Sequence, residues 1–249
     1  MGTLVGHISE LWRYPVKSLG GEQLDELVLD SRGVVGDRWW AVRNADGKVA
    51  SGKTTSRFAR VPHLLTMSSF IDDAGVVWAR SADGRSERAG DPAAASLVSE
   101  VAGEPVTLAQ ESDVSHFDDM PVHLVTDASL RWLGAQHPEA EISVRRARPN
   151  LLVNLAADVP AGRGEDSRGE VSLPEEKWCG AELSVGSVRL RVDRPTLRCV
   201  MTTMAQPGLA FVPGILKTLE QLNGSRFGVY AEILEVGTVR VGDEVRIVE

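Results

Sequence analysis

Short runs of alternating apolar and polar positions, interrupted at close intervals by turn residues, dominate this 249-residue chain. The alternation predicts strands over residues 3–12, 26–29, 39–43, 61–67 around Pro62, and 76–80. Turn signals such as Asn44-Ala45-Asp46-Gly47 and Asp72-Asp73-Ala74-Gly75 separate them. Tyr14-Pro15 stops the first strand, because proline cannot donate to a central ladder. Helical spacing is sparser. Asp91-Pro92 opens a helix with aspartate as cap and proline at the first helical position, Leu97, Val98 and Val101 on one face and Gly103 as its end. A strand over 105–108 follows. The segment 111–119 is acidic and reads as a linker, which places a boundary between two domains, residues 1–112 and 113–249.

The second half resumes with a strand over 122–125 and a short helix from Thr126 or Asp127, with Leu130 and Leu133 inward and Gly134 as its stop. A strand over 151–155, a hairpin over 183–190, a helix over 213–222 carrying Ile215, Leu216, Leu219 and Leu222, and strands over 229–234 and 239–248 complete the chain. Residues 156–176, rich in glycine, proline and charge, read as a long loop, the kind that is functional or disordered when it interrupts a domain. Many short strands with regular turns predict an α+β, β-rich fold of barrel or sandwich type with a few short helices, and argue against a parallel sheet with crossover helices.

Composition sharpens this picture in one respect. A 43% hydrophobic content supplies a core, while a net charge of −8 gives no overall attraction to nucleic acid or to an anionic membrane, and no apolar run approaches a bilayer span. The first residues lack the basic and long apolar segments of an export signal, so the reading is a soluble, cytoplasmic protein with no nucleic-acid or membrane partner. Cys179 and Cys199 are then expected as free thiols, and two cysteines cannot supply the four ligands of an iron–sulfur cluster.

Among candidate chemical motifs, Gly47-Lys48-Val49-Ala50-Ser51-Gly52-Lys53-Thr54 matches the phosphate-loop pattern outright. That loop works only where a buried strand enters and a helix leaves, so that amides and the helix N-terminus converge on phosphate. Here a turn precedes it and a short, polar, proline-stopped stretch follows, so it reads as a hairpin. The five histidines form no i,i+4 pair and no short spacing with a cysteine, which argues against structural zinc, and no local signature supports a Cys–His hydrolase. Cys199 is the more telling thiol. Arg198 precedes it directly, and a cationic neighbour favours the thiolate that binds metals; inert burial is the competing reading. Lys17 in a glycine-flanked loop, Arg38 after a Gly-Asp turn, the crowded Arg145, Arg146 and Arg148, and Arg198 would define an anion pocket if they converged.

Taken together, these pieces resemble the MOSC proteins that carry an N-terminal MOSC β-barrel domain, the group that includes the mitochondrial amidoxime-reducing component and its bacterial relatives. The chain is also similar to the C-terminal part of the molybdenum cofactor sulfurases. The resemblance runs from Leu11-Trp12-Arg13-Tyr14-Pro15-Val16-Lys17-Ser18 through Gly36-Asp37-Arg38-Trp39-Trp40, Thr126-Asp127-Ala128-Ser129-Leu130 and Arg148-Pro149-Asn150 to Arg198-Cys199, Phe227-Gly228-Val229-Tyr230 and Gly237-Thr238-Val239-Arg240-Val241-Gly242-Asp243. It implies a MOSC N-terminal β-barrel-like domain followed by a MOSC β-barrel domain. It also implies the molybdenum cofactor (molybdopterin), with Cys199 as protein ligand to the metal and as catalytic residue. Lys17, Ser18, Arg38, Arg148, Asn150, Arg198 and Tyr230 then fall at positions that hold the pterin and its phosphate. Soft thiolate suits such a metal, and arginine forks suit phosphate. Just before Pro121 the chain departs from the family pattern, with Asp119 and Met120 where small hydroxyl residues are usual. The activity implied is reduction of N-hydroxylated small molecules, namely amidoximes, hydroxylamines and N-hydroxylated bases. Electrons would come from a separate flavin or iron–sulfur protein. The alternative is a non-catalytic carrier that holds the cofactor or a persulfide on Cys199, and a barrel without cofactor is a third reading, favoured by Asp119-Met120. Pyridoxal phosphate binding is attached to the family as a general term.

Overall fold

The computed structural model describes residues 2–157, 159, 164–165 and 171–248. Seven strands close a barrel in the order Leu151–Leu155, Val122–Thr126, Arg226–Glu235, Val188–Leu197, Glu182–Val185, Glu244–Val248 and Thr3–Arg13, the last pairing back onto the first. Its interior follows from the alternation in the sequence. Val5, Ile8, Leu11, Val122, Leu124, Leu151, Val153, Leu183, Val185, Leu190, Val192, Val229, Ala231 and Val245 pack into one buried cluster. Closure removes the exposed edges that an open sheet of this length would carry. Val122–Thr126 and Leu151–Leu155 are the parallel pair, and the helix Asp127–Gln136 lies in the crossover that parallel strands require. Thr126 caps that helix by accepting from the Ser129 amide at 3.2 Å.

The first strand of the chain is thus a stave of the barrel built mostly from the second half, and the strand pairing crosses the expected boundary at 112/113. The rest of the first half forms two smaller sheets. One contains Val106–Gln110, Trp40–Asn44, Val49–Ser51 and Phe58–Arg60, with Val16–Lys17 running parallel to Trp40–Asn44. The other contains Ser68–Ile71, Val77–Arg80 and Ser86–Arg88. The helix Pro92–Ala102 lays Leu97 and Val98 on a second core with Val16, Leu19, Val42, Met67 and Ala79, and Gly103 ends it in the left-handed conformation at φ 73°.

Four expectations require correction. Residues 61–67 are not a strand: Leu64–Thr66 form a 3-10 turn, entered through His63 at φ 61°, and the apolar run is buried as a turn rather than a ladder. Gly134 does not stop its helix, which continues to Gln136. The last expected strand is split into Gly237–Arg240 and Glu244–Val248 around Gly242 at φ 92°, with the first piece pairing to Glu26–Leu29 instead of entering the barrel. The acidic segment 111–119 is no solvated linker, since His116 and Phe117 are buried and Glu111 forms a forked pair with Arg32 at 2.7 and 2.8 Å. Ten of the 21 residues of the expected loop 156–176 lie outside the described residues; within it Val171–Ser172 pair with Gly164–Glu165, and its end belongs to the 3-10 segment Pro174–Trp178.

That segment buries Glu175 completely against the capped helix, where its Oε2 accepts from the Thr126 hydroxyl at 2.7 Å and the Ser129 hydroxyl at 2.6 Å. Burial pushes this carboxyl up to about 7, against the pull of those hydrogen bonds. Because the folded protein holds the proton more tightly than the unfolded chain, this group's contribution to stability is full at low pH and is lost as pH rises toward about 7. Glu175→Gln is therefore expected to gain on the wild type across that window, by on the order of 2–3 kcal/mol at about pH 8. Denaturant melts at several pH values check this. A stability difference that does not change with pH would show that Glu175 holds its proton no more tightly in the fold than in the unfolded chain.

Candidate functional site

Local chain chemistry carries Cys199 to the barrel rim. The strand Val188–Leu197 pairs with Arg226–Glu235 through register shifts between Val192 and Arg194 and between Pro195 and Leu197. Bulges twist a strand away from its ladder, and Pro195, lacking an N–H, is tolerated at such an irregularity. Beyond it the Arg198 amide donates to the Ser225 carbonyl at 2.8 Å, and the 3-10 turn Val200–Thr203 begins with Cys199 at its cap. The thiol is half-buried and opens into a cleft of about 290 Å³ at the junction of the barrel with the first-half sheets.

Arg38, Arg148, Asn150, Arg198 and Tyr230 line the same cleft, so most of the residues expected to act with Cys199 do meet there. Their placement is costly. Arg38 and Arg148 lie in the left-handed region at φ 54° and 56°, as does Ser18 at φ 70°; such conformations cost on the order of 1–3 kcal/mol each for residues with a Cβ, and they cluster at sites of function. Arg148 ends the short helix Val144–Ala147, its amide donating to the Val144 carbonyl at 3.1 Å. The Tyr14 ring receives both guanidinium groups, Arg38 at 5.1 Å and Arg148 at 4.3 Å from its centroid, while its hydroxyl donates to the Pro149 carbonyl at 3.2 Å. Asp37, fully buried, pairs with the Arg38 guanidinium and accepts from the Tyr14 amide at 2.7 Å. Burial pushes Arg148 down to about 10, which leaves it cationic near neutrality.

Two expected residues support the cleft without lining it. The Ser18 hydroxyl donates to the Ala50 carbonyl at 2.8 Å. Lys17 is 4% exposed and sits beside Asp118, whose Oδ1 lies 3.2 Å from Nζ; burial brings this lysine down to about 8 against the attraction of Asp118. At 3.2 Å this contact is long for a charge-assisted pair, and the buried ammonium has no closer hydrogen-bond partner among the described residues. Asn150 faces the cleft with its amide already engaged, Oδ1 accepting from the His123 amide at 3.2 Å and Nδ2 donating to the Trp12 carbonyl at 3.2 Å. Arg145 and Arg146 are not part of the cleft. They hold the following loop, Arg145 donating to Pro207 at 2.9 Å and Arg146 to Ala210 at 2.8 Å.

The cleft also holds residues that sequence patterning passed over. Lys53 lines it, placed there by the segment that mimics a phosphate loop, and a Cβ built on the neighbouring Gly52 would stand 2.4 Å from Met201 Cγ and 3.1 Å from Cys199 Sγ. Its glycine-lysine pair was the available signal. His123 lines the floor with its ring nitrogens 3.4 Å from the Arg148 and Phe227 carbonyls; burial, then the charge of Arg198, holds it well below the usual histidine range, so it is neutral. Asp119 is turned to Arg194, 2.7 Å away, and is thereby neutralised as a repellent of anions. Within and behind the cleft, Lys17, Arg38, Lys53, Arg148, Arg194 and Arg198 face only Asp37, Asp118, Asp119 and Asp193, and among the described residues Arg148 and Arg198 have no carboxylate partner. Arg198 donates to the Ala147 carbonyl at 2.5 Å, and its buried Nε is unpartnered.

An excess of two cations beside an accessible thiol defines a class: a β-barrel protein with a cationic cleft that holds one cysteine. The chain belongs to the MOSC domain family, whose pattern matches residues 111–246, and residues 5–89 match the MOSC N-terminal beta barrel domain. It is similar to mitochondrial amidoxime reducing component 2 of Bos taurus, 24% identical over 97% of this chain and 83% of the relative, and to mitochondrial amidoxime-reducing component 1 of Homo sapiens, 24% identical over 97% and 82%. The crystal structure of the YUAD protein from Bacillus subtilis shares the fold, with a TM-score of 0.52 at 12% identity over 99% of this chain and 98% of that one. No helix among the described residues is long and apolar enough to cross a membrane.

Proposed function

We propose that this protein is a molybdenum-cofactor-binding reductase of N-hydroxylated small molecules such as amidoximes, hydroxylamines and N-hydroxylated bases. The observation that carries the reading is the convergence of Cys199 with Arg38, Arg148 and Arg198 in one cleft whose cationic excess matches a phosphate monoester, which bears about −1.5 to −2 at neutral pH. The residues fit the group. The orphaned Lys17 Nζ and Arg198 Nε are buried donors in want of an anion, the guanidinium forks suit phosphate oxygens, and Gly52 leaves room beside the thiol. Cys199 would ligate molybdenum through its sulfur, and Lys17, Arg38, Arg148 and Arg198 would hold the phosphate end.

When bound, the cofactor supplies a metal that exchanges two electrons with substrate and donor. The chain's own contribution is to position it and to manage protons. His123 is neutral, so one of its two ring nitrogens carries a proton, and that N–H is directed at a backbone carbonyl, of Arg148 or of Phe227, rather than at substrate. Burial raises the Tyr230 hydroxyl above its ordinary range, so it keeps its proton at neutral pH and can donate a hydrogen bond into the cleft. A separate flavin or iron–sulfur protein is proposed as electron donor. The mitochondrial location in the relatives' names is theirs alone, and neither those names nor the family descriptions extend to pyridoxal phosphate.

Metal analysis of protein from a cofactor-competent host tests the proposal. Near-stoichiometric molybdenum, with benzamidoxime reduced under a chemical reductant, is expected. Cofactor bound without turnover by any reductant would favour a carrier, and protein free of molybdenum and pterin would overturn both readings.

A further inference from the structure

Lys17 and Lys53 come from different parts of the first half, yet their ammonium groups stand over the same Phe58 ring, at 5.1 and 4.9 Å from its centroid. Both also face one oxygen, Asp118 Oδ1, at 3.2 and 3.8 Å. Asp118 lines the cleft and is 40% exposed, whereas Lys17, behind it, is not a lining residue and is 4% exposed. Two ammonium groups on one aromatic face repel each other, so this arrangement requires an anion between them. The anion present is poorly suited. Asp118 Oδ1 stands 3.2 Å from Lys17 Nζ, long for a charge-assisted hydrogen bond, and it belongs to a segment, residues 111–120, without regular secondary structure.

We propose that Asp118 is a displaceable occupant of an anion site formed by Lys17 and Lys53, and that a phosphate-like group entering the cleft takes over both ammonium groups as the Asp118 side chain turns out to solvent. A tetrahedral anion offers oxygens in several directions and can approach Lys17 Nζ more closely than the carboxylate at 3.2 Å does. Lys53 is thereby assigned to ligand binding, and the segment that imitates a phosphate loop contributes one lysine to a phosphate site without the fold of such a loop. Asp119 takes no part, being held by Arg194 at 2.7 Å. This deepens the reading of the cleft as a site for a phosphorylated ligand and rests on it only for the class of anion.

The test uses full-length protein made in a host that cannot synthesise the pterin, titrated calorimetrically with inorganic phosphate. Asp118→Asn is expected to bind phosphate about tenfold or more tightly than wild type, because an internal competitor is removed, and Asp118→Glu is expected to stay near wild type. Adding Lys53→Gln to Asp118→Asn is expected to cancel the gain. Asp118→Asn leaves the buried Lys17 ammonium without its carboxylate, so a lower melting temperature that added phosphate restores is expected of this variant. Unchanged or weaker phosphate binding in Asp118→Asn overturns the proposal, whatever the molybdenum content of cofactor-competent preparations, which tests the proposed function separately. Repeating the titration on cofactor-loaded protein identifies the source of the anion: phosphate binding abolished by loading assigns the site to the cofactor's own phosphate, and binding retained assigns it to an anionic substrate.

Discussion

Cys199→Ser is expected to reduce molybdenum retention at least about a hundredfold and to abolish reduction of amidoximes, while leaving the fold intact. The scale follows from metal sites generally, in which even residues that only support a ligand cost about 10–100-fold in affinity when removed. Serine preserves size but replaces a soft sulfur with a hard hydroxyl oxygen, so the donor that suits the metal disappears. The fold should tolerate the change because the thiol is half-buried at the rim rather than packed in a core, and its backbone is held independently by the Thr202 amide and hydroxyl donating to the Cys199 carbonyl at 3.2 and 3.0 Å. Metal analysis, pterin fluorescence and a melt on the same preparation separate the outcomes. Pterin retained with metal lost is expected, since the phosphate-holding cations are untouched. Full molybdenum content in the serine variant would remove Cys199 from the metal site and with it the proposed function.

The second large effect concerns stability as well as binding. Arg38→Met strands the fully buried Asp37 carboxylate, whose remaining partner is the Tyr14 amide at 2.7 Å. Removing one member of a buried ion pair typically costs about 3–5 kcal/mol, which in a chain of this size corresponds to a fall in melting temperature of roughly 6–20 °C. Asp37→Asn combined with Arg38→Met is expected to recover most of that loss, because the neutral amide can still accept from Tyr14, yet it should not recover cofactor retention. That split distinguishes the two tasks of Arg38, neutralising Asp37 and presenting positive charge to the cleft. A single variant within about 1 kcal/mol of wild type would mean that the Asp37 side chain is accommodated without Arg38, and the buried pair would then not be what fixes Arg38 in its left-handed conformation.

Arg38 also illustrates how far sequence reading reaches. Its presence after a Gly-Asp turn marks a candidate cation, but not that Asp37 turns inward while Arg38 stacks on Tyr14 beside Arg148, residues separated by more than a hundred positions. Arg145, Arg146 and Arg148 look alike in the sequence, and only the last reaches the cleft, because the helix Val144–Ala147 ends there in a left-handed turn and sends its neighbours toward the 207–210 loop. The error at residues 61–67 has the same origin, since an apolar run buries equally well as a strand or as a turn, and periodicity over so few positions does not separate them. Lys53 stands within a known pattern, yet only the fold brings it to the cleft beside Cys199, because that placement depends on contacts between distant parts of the chain.

What the sequence determined alone is local in origin. Alternation made the strands, Asp91-Pro92 and Gly103 bounded a helix, and Arg198 stood beside a thiol, because each depends on neighbours within a few residues. What only the tertiary structure decided depends on distance in space. Thr3–Arg13 closes a barrel otherwise made by the second half, an acidic stretch becomes the wall of a cleft, and two lysines share one carboxylate. Ring closure and charge pairing are settled by which surfaces must be buried together, and that requirement is written across the whole chain rather than at any one place in it.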